Sequence, residues 1–495
     1  MRPGVNVTTR ESAPPSTIPT DVGTGFMVGV TEAGPMQPVS GDVVQNMDEY
    51  KTVFAPSGRN YLAGVGTYDA AETFFNEGGN RLFVGRVVGP AAVAASVNLV
   101  DGSAAIALVA KANSPGSWGN NLQVSVITHT EDPNIATGSF HLRVVRTTDS
   151  VVLEESYDLV DNTAALSWAA GSGFIVLTAG VSTNDPAAGA YAMTGGNADT
   201  GAITNANWQT ALNNLTIGLG PGILFLPGVT TGAIYNMAAE AARTQYRVAF
   251  LDGPDTATAS TLIATASGIV DGTLKRSRFS ALFAPWIHIP GLASNTTRKV
   301  PPSPAVAGLF CRNMAAGLSA NDPAAGDNGI LRTAIDLTQV YTDADRQALN
   351  DGGVDVIRDM YGQRKVYGWR TVVNQVSDPA WINLGNSIMH RQIVALSNVV
   401  GESFIFKQID GQNRLISQFG AALEAHICMP LFLDGSLFGE APSDAYKVDV
   451  GPSVNTATTI SNNELHAIIA VKMSPFGEQV NIEIVKYLVT DQIPA

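Results

Sequence analysis

Between residues 91 and 200 the apolar pattern of this chain changes period, and that change constrains the fold more than any other feature. On either side, helix-period stretches alternate with short apolar runs. Tyr68 to Asn76 puts Tyr68, Ala71, Phe74 and Phe75 on one helical face and stops at Gly78-Gly79, residues suited to a left-handed cap. Phe26–Val30 and Arg81–Val87 read as strands beside it. Past residue 200, Ile223–Leu226, Val248–Leu251 and Ala281–Phe283 are short apolar runs, with helical stretches near Ile234–Arg243 and Thr261–Val270 between them. Such runs are strands buried on both faces, as in a parallel sheet covered by helices. Inside 91–200 the β-type runs Ala105–Val109, Leu122–Ile127, Phe140–Val145, Val151–Tyr157 and Phe174–Thr178 succeed one another. Turn clusters such as Asn113-Ser-Pro-Gly116 and Thr194-Gly-Gly-Asn197 separate them. This segment predicts an inserted all-β domain, a sandwich or barrel.

Both ends of the chain are β-competent. Val5 and Val7 alternate with Asn6 and Thr8, and Pro14, Pro15 and Pro19 hold the following stretch extended. At the other end Val480, Ile482 and Ile484 alternate with Asn481 and Glu483. Before them, Trp381–Val399 and Arg414–Leu433 read as helices, and Tyr446–Val450, Leu465–Lys472 and Gln479–Leu488 as strands. The expected fold class is multidomain α+β: an α/β core with an inserted all-β domain, a C-terminal α+β domain, and extended β arms at both termini. The expected divisions are an arm at 1–25, an α/β segment of the core at 26–90 and the insert at 91–200. An α/β middle domain at 201–370 and a C-terminal α+β domain at 371–495, ending in an exchanged strand, complete them.

Composition excludes several functions. With 29 Lys and Arg against 43 Asp and Glu the net charge is −14, and no basic cluster stands out. Direct nucleic-acid binding, which depends on neutralising phosphates, is not expected. Charged residues make up 15%, below the usual quarter, and glycine is abundant. A surface largely covered in an assembly suits that balance. Cys311 and Cys428 sit in apolar surroundings and are expected to be buried free thiols of a reducing compartment. Neither an apolar leader nor a run approaching the roughly 18 residues of a membrane span is seen, so no membrane insertion is expected.

Enzyme signatures are weak. Gly64-Val-Gly66 starts like a dinucleotide fingerprint but lacks the third glycine, and Gly218-Leu-Gly220-Pro-Gly222 precedes a strand. No phosphate loop, His-Glu-x-x-His, Cys-x-x-Cys or Gly-x-Ser-x-Gly elbow occurs. The six histidines (129, 141, 288, 390, 426 and 466) have no metal-ligand spacing. Asp343-Ala-Asp345 opens a helix, where its acids complement the dipole. Asp252 and Asp255 follow an apolar strand, where α/β enzymes place active-site groups, yet Asp-Gly-Pro-Asp is equally a turn sequence. A hydrolase-like reading would pair Asp252 with a distant histidine such as His288. It lacks a nucleophile motif. An adhesin reading lacks a signal peptide. No catalytic residue, cofactor or metal is expected.

A series of ordered segments resembles the contractile phage tail sheath family. It begins with Pro3-Gly4-Val5-x-Val7 and Phe74-Phe75-x-x-Gly78-Gly79-x-Arg81-x-Phe83-Val84-x-Arg86-Val87. Ser114-Pro-Gly116-x-Trp118-Gly119-Asn120-x-Leu122 resembles the turn opening the family's inserted domain. Leu226-Pro227-Gly228, Ala249-Phe-Leu251-Asp252-x-Pro254, Ala281-Leu-Phe-Ala-Pro285-Trp286 and Val300-Pro301-Pro302-Ser303 follow. Then come Gly353-Val-Asp-Val-Ile357-Arg358, Tyr367-Gly368-x-Arg370-Thr371, Phe432-Leu-x-x-Gly435-x-Leu437-x-Gly439 and Ala470-Val-x-x-Ser-Pro475-x-x-Glu478. Asp355 stands where Asn is usual, and Phe476-Gly477 where Pro-Ala is usual. The resemblance implies a non-enzymatic subunit of stacked hexameric rings around an inner tail tube protein, bounded by baseplate and tail terminator proteins. It also implies a virion tail, assembled in the host bacterial cytoplasm, that contracts to deliver a genome; the genome-free injection particle is the near alternative. Its C-terminal domain would face the tube and its insert the outside. Pro3, Val5 and Val7 of the first arm, and Val480, Ile482 and Ile484 of the last strand, would join neighbouring subunits.

Overall fold

The computed structural model describes residues 21–59, 66–269, 271, 273–478 and 486. It forms two compact units, one of residues 1–320 with 324–399, the other of 321–323 with 400–495. The division at 400 falls inside the helix Leu384–Glu402, not at the expected residue 371.

The first unit opens with strands β1 (Gly25–Gly29) and β2 (Leu82–Arg86). The insert supplies β3 (Ser96–Val100), β4 (Ile106–Ala112), β5 (Leu122–Thr128), β6 (Phe140–Arg146), β7 (Val151–Glu155), β8 (Ile175–Ala179) and β9 (Gly189–Ala192). The chain returns with β10 (Gly222–Phe225), β11 (Arg247–Asp252) and β12 (Ser280–Ala284). A small antiparallel sheet of β13 (Ile287–Pro290), β14 (Thr297–Val300) and β15 (Asp336–Leu337) comes next, then β16 (Val354–Met360) and β17 (Gln363–Val366).

Seven of these strands make one sheet in the order β17-β16-β12-β11-β10-β1-β2, parallel throughout except for β17. The segments 26–90 and 201–370, expected as a core piece and a middle domain, therefore build a single sheet. The runs that looked apolar at every position are buried along their whole length in β10, β11 and β12. Helices cover both faces, which is why no alternation survives in those strands. On one face Trp208, Leu212, Ile234, Tyr235, Ala238 and Leu262, from three helices, pack on Phe26, Leu224, Leu251 and Leu282. On the other, the Pro-rich helix Pro302–Ala315 places Phe310 against Phe250 and Trp369, with the helix Thr67–Glu77 packed on it. Glu77, fully buried, fixes that second layer. Its carboxylate takes an ion pair from Arg312 at 3.2 Å and backbone N–H bonds from Arg332 and Thr333 at 3.0 and 2.7 Å.

The insert has two sheets, β3-β4-β8 and β7-β6-β5-β9, around a shared core of Leu99, Leu108, Val124, Phe140, Leu142 and Ile175. One expectation needs correcting. The segment is not all-β, because Asn162–Ala169 forms a helix capped by Asp161, which accepts from the Ala164 N–H at 2.7 Å. The cap satisfies an otherwise orphaned donor, and Ala165 and Ala169 turn into the core.

The second unit holds the helical column Arg414–Leu433, with a π-turn at Glu424–Cys428, and an antiparallel pair, β18 (Tyr446–Asp449) and β19 (Ile468–Val471). Contrary to the sequence reading, Arg414–Leu433 is long and apolar enough to cross a membrane, with a mean hydropathy of 1.3 over its richest window. Its apolar residues recur at helical spacing, however. Leu415, Ile416, Leu423, Ile427 and Leu431 are buried within the unit, while Ser417, Gln418, Glu424 and His426 are exposed. That is an amphipathic body helix.

Candidate assembly surfaces

The six residues expected to join subunits, Pro3, Val5, Val7, Val480, Ile482 and Ile484, lie outside the described residues, as do Pro14, Pro15 and Pro19. Among the described residues the paired strands of the second unit are β18 and β19. Tyr446 pairs with Val471 and Asp449 with Ile468, and neither strand has a further strand beside it among the described residues. Ile468 is 56% exposed. A two-stranded ribbon is marginal alone, and open edges are templates for another strand.

Asp252, the best candidate for chemistry, is a structural pin. It is fully buried at the carboxyl end of β11. Its side chain accepts from the Ser303 N–H at 2.7 Å, the Ser303 hydroxyl at 2.8 Å and the Gly228 N–H at 3.0 Å. Ser303 lies in the first turn of the helix Pro302–Ala315, so the carboxylate caps that helix and ties it to the sheet. Burial pushes the carboxyl up to about 7, against three donors that favour its charged form. His288 is not among its partners; it sits on β13 opposite Lys299 and Asp336. Asp255 is paired with Lys299 at 2.5 Å. Enclosed and bonded to Ser303 and Gly228, the group holds backbone in place. Asp343 and Asp345 form the first turn of a helix capped by Thr342, as the dipole argument required. Cys311 and Cys428 are buried free thiols.

The root of the insert carries residues whose role spacing alone did not reveal. Arg86, at the end of β2, is fully buried and has no bonded carboxylate. Its guanidinium donates to the carbonyls of Thr31 and Gly34 at 3.3 Å, Glu32 at 2.8 Å and Pro115 at 2.5 Å. The first three belong to the core and the last to the insert. Gly116, at φ 138°, fits beside them because a Cβ there would meet the Glu32 carbonyl at 2.6 Å. The Ser114-Pro-Gly116-x-Trp118 motif is thus the seat of the insert on the core. Two neighbouring necks finish the attachment, with Gly89 N–H on the Ala198 carbonyl at 3.0 Å and Val93 N–H on the Asn197 carbonyl at 2.8 Å. Charge is uneven as well. Residues 91–200 hold three Lys and Arg against ten Asp and Glu, a net −7 that is half of the chain's −14.

No protein-family model and no curated protein matches the sequence. Solved structures do match. The sheath tail protein from Listeria innocua superposes with a TM-score of 0.62 at 12% identity, over 92% of each chain. The fold is that of a tail sheath protein. A second sheath tail protein, from Desulfitobacterium hafniense, gives 0.53 at 15% identity, over 90% of this chain and 93% of that one. The sheath of an extracellular contractile injection system in its contracted state gives 0.55 at 13%, over 98% and 97%. The structures this chain resembles are assembly components.

Proposed function

We propose that this chain is the structural subunit of a contractile sheath, polymerising into stacked hexameric rings around an inner tube. The observation that carries this reading is likeness to sheath structures over nearly the whole chain, with both compact units included. Strands 3–9 and 479–488 of neighbouring copies would complete the open β18–β19 ribbon and join subunits into a mesh by strand addition. Contraction would exchange contacts between rigid bodies while the strand-linked mesh stays joined. The energy would be stored in a kinetically trapped extended form, with no nucleotide consumed. Partners would be other copies, the inner tube, and the baseplate and terminator at its ends. The particle would be a phage tail that ejects a genome through the host envelope, or a genome-free relative.

Negative-stain electron microscopy of the purified protein at rising concentration, alone and with its inner tube, tests the proposal. Hollow tubes or stacked rings of six are expected. Single particles at every concentration in both preparations would rule out a sheath.

A further inference from the structure

Resting on the sheath reading, we propose that the second unit opens on its own in the single chain and becomes firmly folded only where neighbouring copies cover it.

The two units differ in how much they bury. Over its 368 described residues the first unit buries 95 apolar side chains and exposes 18 large ones. Over its 83 described residues the second buries ten and exposes five. It therefore buries apolar side chains at less than half the density of the first, and exposes one for every two it buries. Apolar burial is the main term that offsets the entropy of an ordered chain. A body of this size with so small a core sits at the limit of independent folding.

Its elements have weak points of their own. The longest, the column Arg414–Leu433, contains Pro430, which has no N–H to give the helix, and the ladder widens to a π-turn at Glu424–Cys428 just before it. Two further helices, Pro442–Ala445 and Ala457–Ser461, have four and five residues, too few to hold themselves. The ribbon of β18 and β19 has only its two strands. Cys428 is a free thiol, so no disulfide ties these pieces together.

What the unit leaves exposed points to its cover. Leu433 and Phe438 are 75% and 60% exposed, and Ile468 stands out from β19. Phe438 adjoins the ribbon, its N–H donating to the Lys472 carbonyl at 2.8 Å. Apolar side chains thus stand beside a ribbon with open edges. In the proposed sheath the next copy brings an added strand there, with Val480, Ile482 and Ile484 on one side of it. A partner that binds only the folded unit stabilises it by mass action.

Hydrogen–deuterium exchange of the full chain, unassembled and assembled, reads each unit separately. In the free subunit the amides of Arg414–Leu433 and Tyr446–Asp449 should exchange through local opening while those of β10, β11 and β12 stay protected. In rings or tubes the second-unit amides should slow at least about a hundredfold, the effect of a partner present at a hundred times its Kd. Leu433→Ser and Phe438→Ser alter exposed side chains, so free-subunit exchange should not change. The critical concentration for assembly should rise at least about tenfold. Second-unit amides as protected in the free subunit as those of β10–β12, exchange unchanged by assembly, or normal assembly of both variants would overturn the proposal and leave the sheath reading standing. Slowing that appears only when inner tube protein is added gives the cover to the tube and overturns it too. If no copy assembles under any condition, the sheath reading fails and takes this proposal with it.

Discussion

Among the described residues no countercharge is hydrogen-bonded to three fully buried ionisable side chains, Arg86, Arg247 and Asp252. Neutral dipoles hold each one. Arg247 donates to the carbonyls of Leu215, Thr216 and Gly220 and to the Gln245 amide at 2.6–3.2 Å, with its guanidinium 3.6 Å from the Phe26 ring centre. Fixed dipoles around a charge organise backbone, whereas catalysis needs a group that can reach solvent or substrate. For Asp252 the sign can be worked out. Burial raises its folded-state value to about 7, above the ordinary value of 3.8. Between those values the folded chain retains a proton that the unfolded chain has lost, so stability from this group is full in acid and lost as pH rises toward 7. Urea unfolding at pH 4.5 and 7.5 should show that loss in the wild type and a flatter dependence in Asp252→Asn; parallel curves would refute it. The sequence marked Asp252 only as an acid after a strand. Whether such an acid caps a helix or faces a substrate depends on Ser303, some fifty residues away, and spacing cannot supply that.

At the scale of elements, strands whose side chains do the packing were legible, and strands held by backbone pairing were not. β10, β11 and β12 declare themselves by unbroken apolar runs. β9, with the sequence Gly-Ala-Tyr-Ala, is almost wholly exposed and exists through its pairing with β5. The helix Asn162–Ala169 was hidden although its three alanines are strong helix formers, because eight residues are too few for a helical period to stand out among the surrounding strands. The seat of the insert was quoted as a motif, but its meaning appeared only with Arg86, whose contacts join residues 31–34 to residue 115. Arg86→Leu should strand four carbonyls and destabilise the unit by about 3 kcal/mol or more. Calorimetry should then resolve the insert as a separate transition ahead of the core. A single transition with an unchanged midpoint would mean that the necks alone couple the two.

For the whole molecule, local patterns indicated a parallel sheet but not its order. β1 and β2 enter it beside β10 after more than a hundred intervening residues, a long-range choice that no local period records. The terminal arms were read as strands from alternation and as links between copies from the family resemblance, and the proposed role is best tested by removal. A chain lacking residues 1–20 should fold with the wild-type circular dichroism spectrum, since the described core begins after them, and should fail to form tubes. Tubes of normal length from that truncation would discard the strand-linked mesh.

The necks of the insert have a further consequence. Because residues 89–93 and 197–198 are hydrogen-bonded side by side, the core meets 100-odd residues as it would meet a hairpin loop. Ring-closure entropy grows only with the logarithm of loop length, so exchanging that loop for a longer or shorter one changes the cost to the core by little. The insert is, in effect, a socketed attachment. A lineage carrying this scaffold is free to restyle the insert while leaving the sheet untouched.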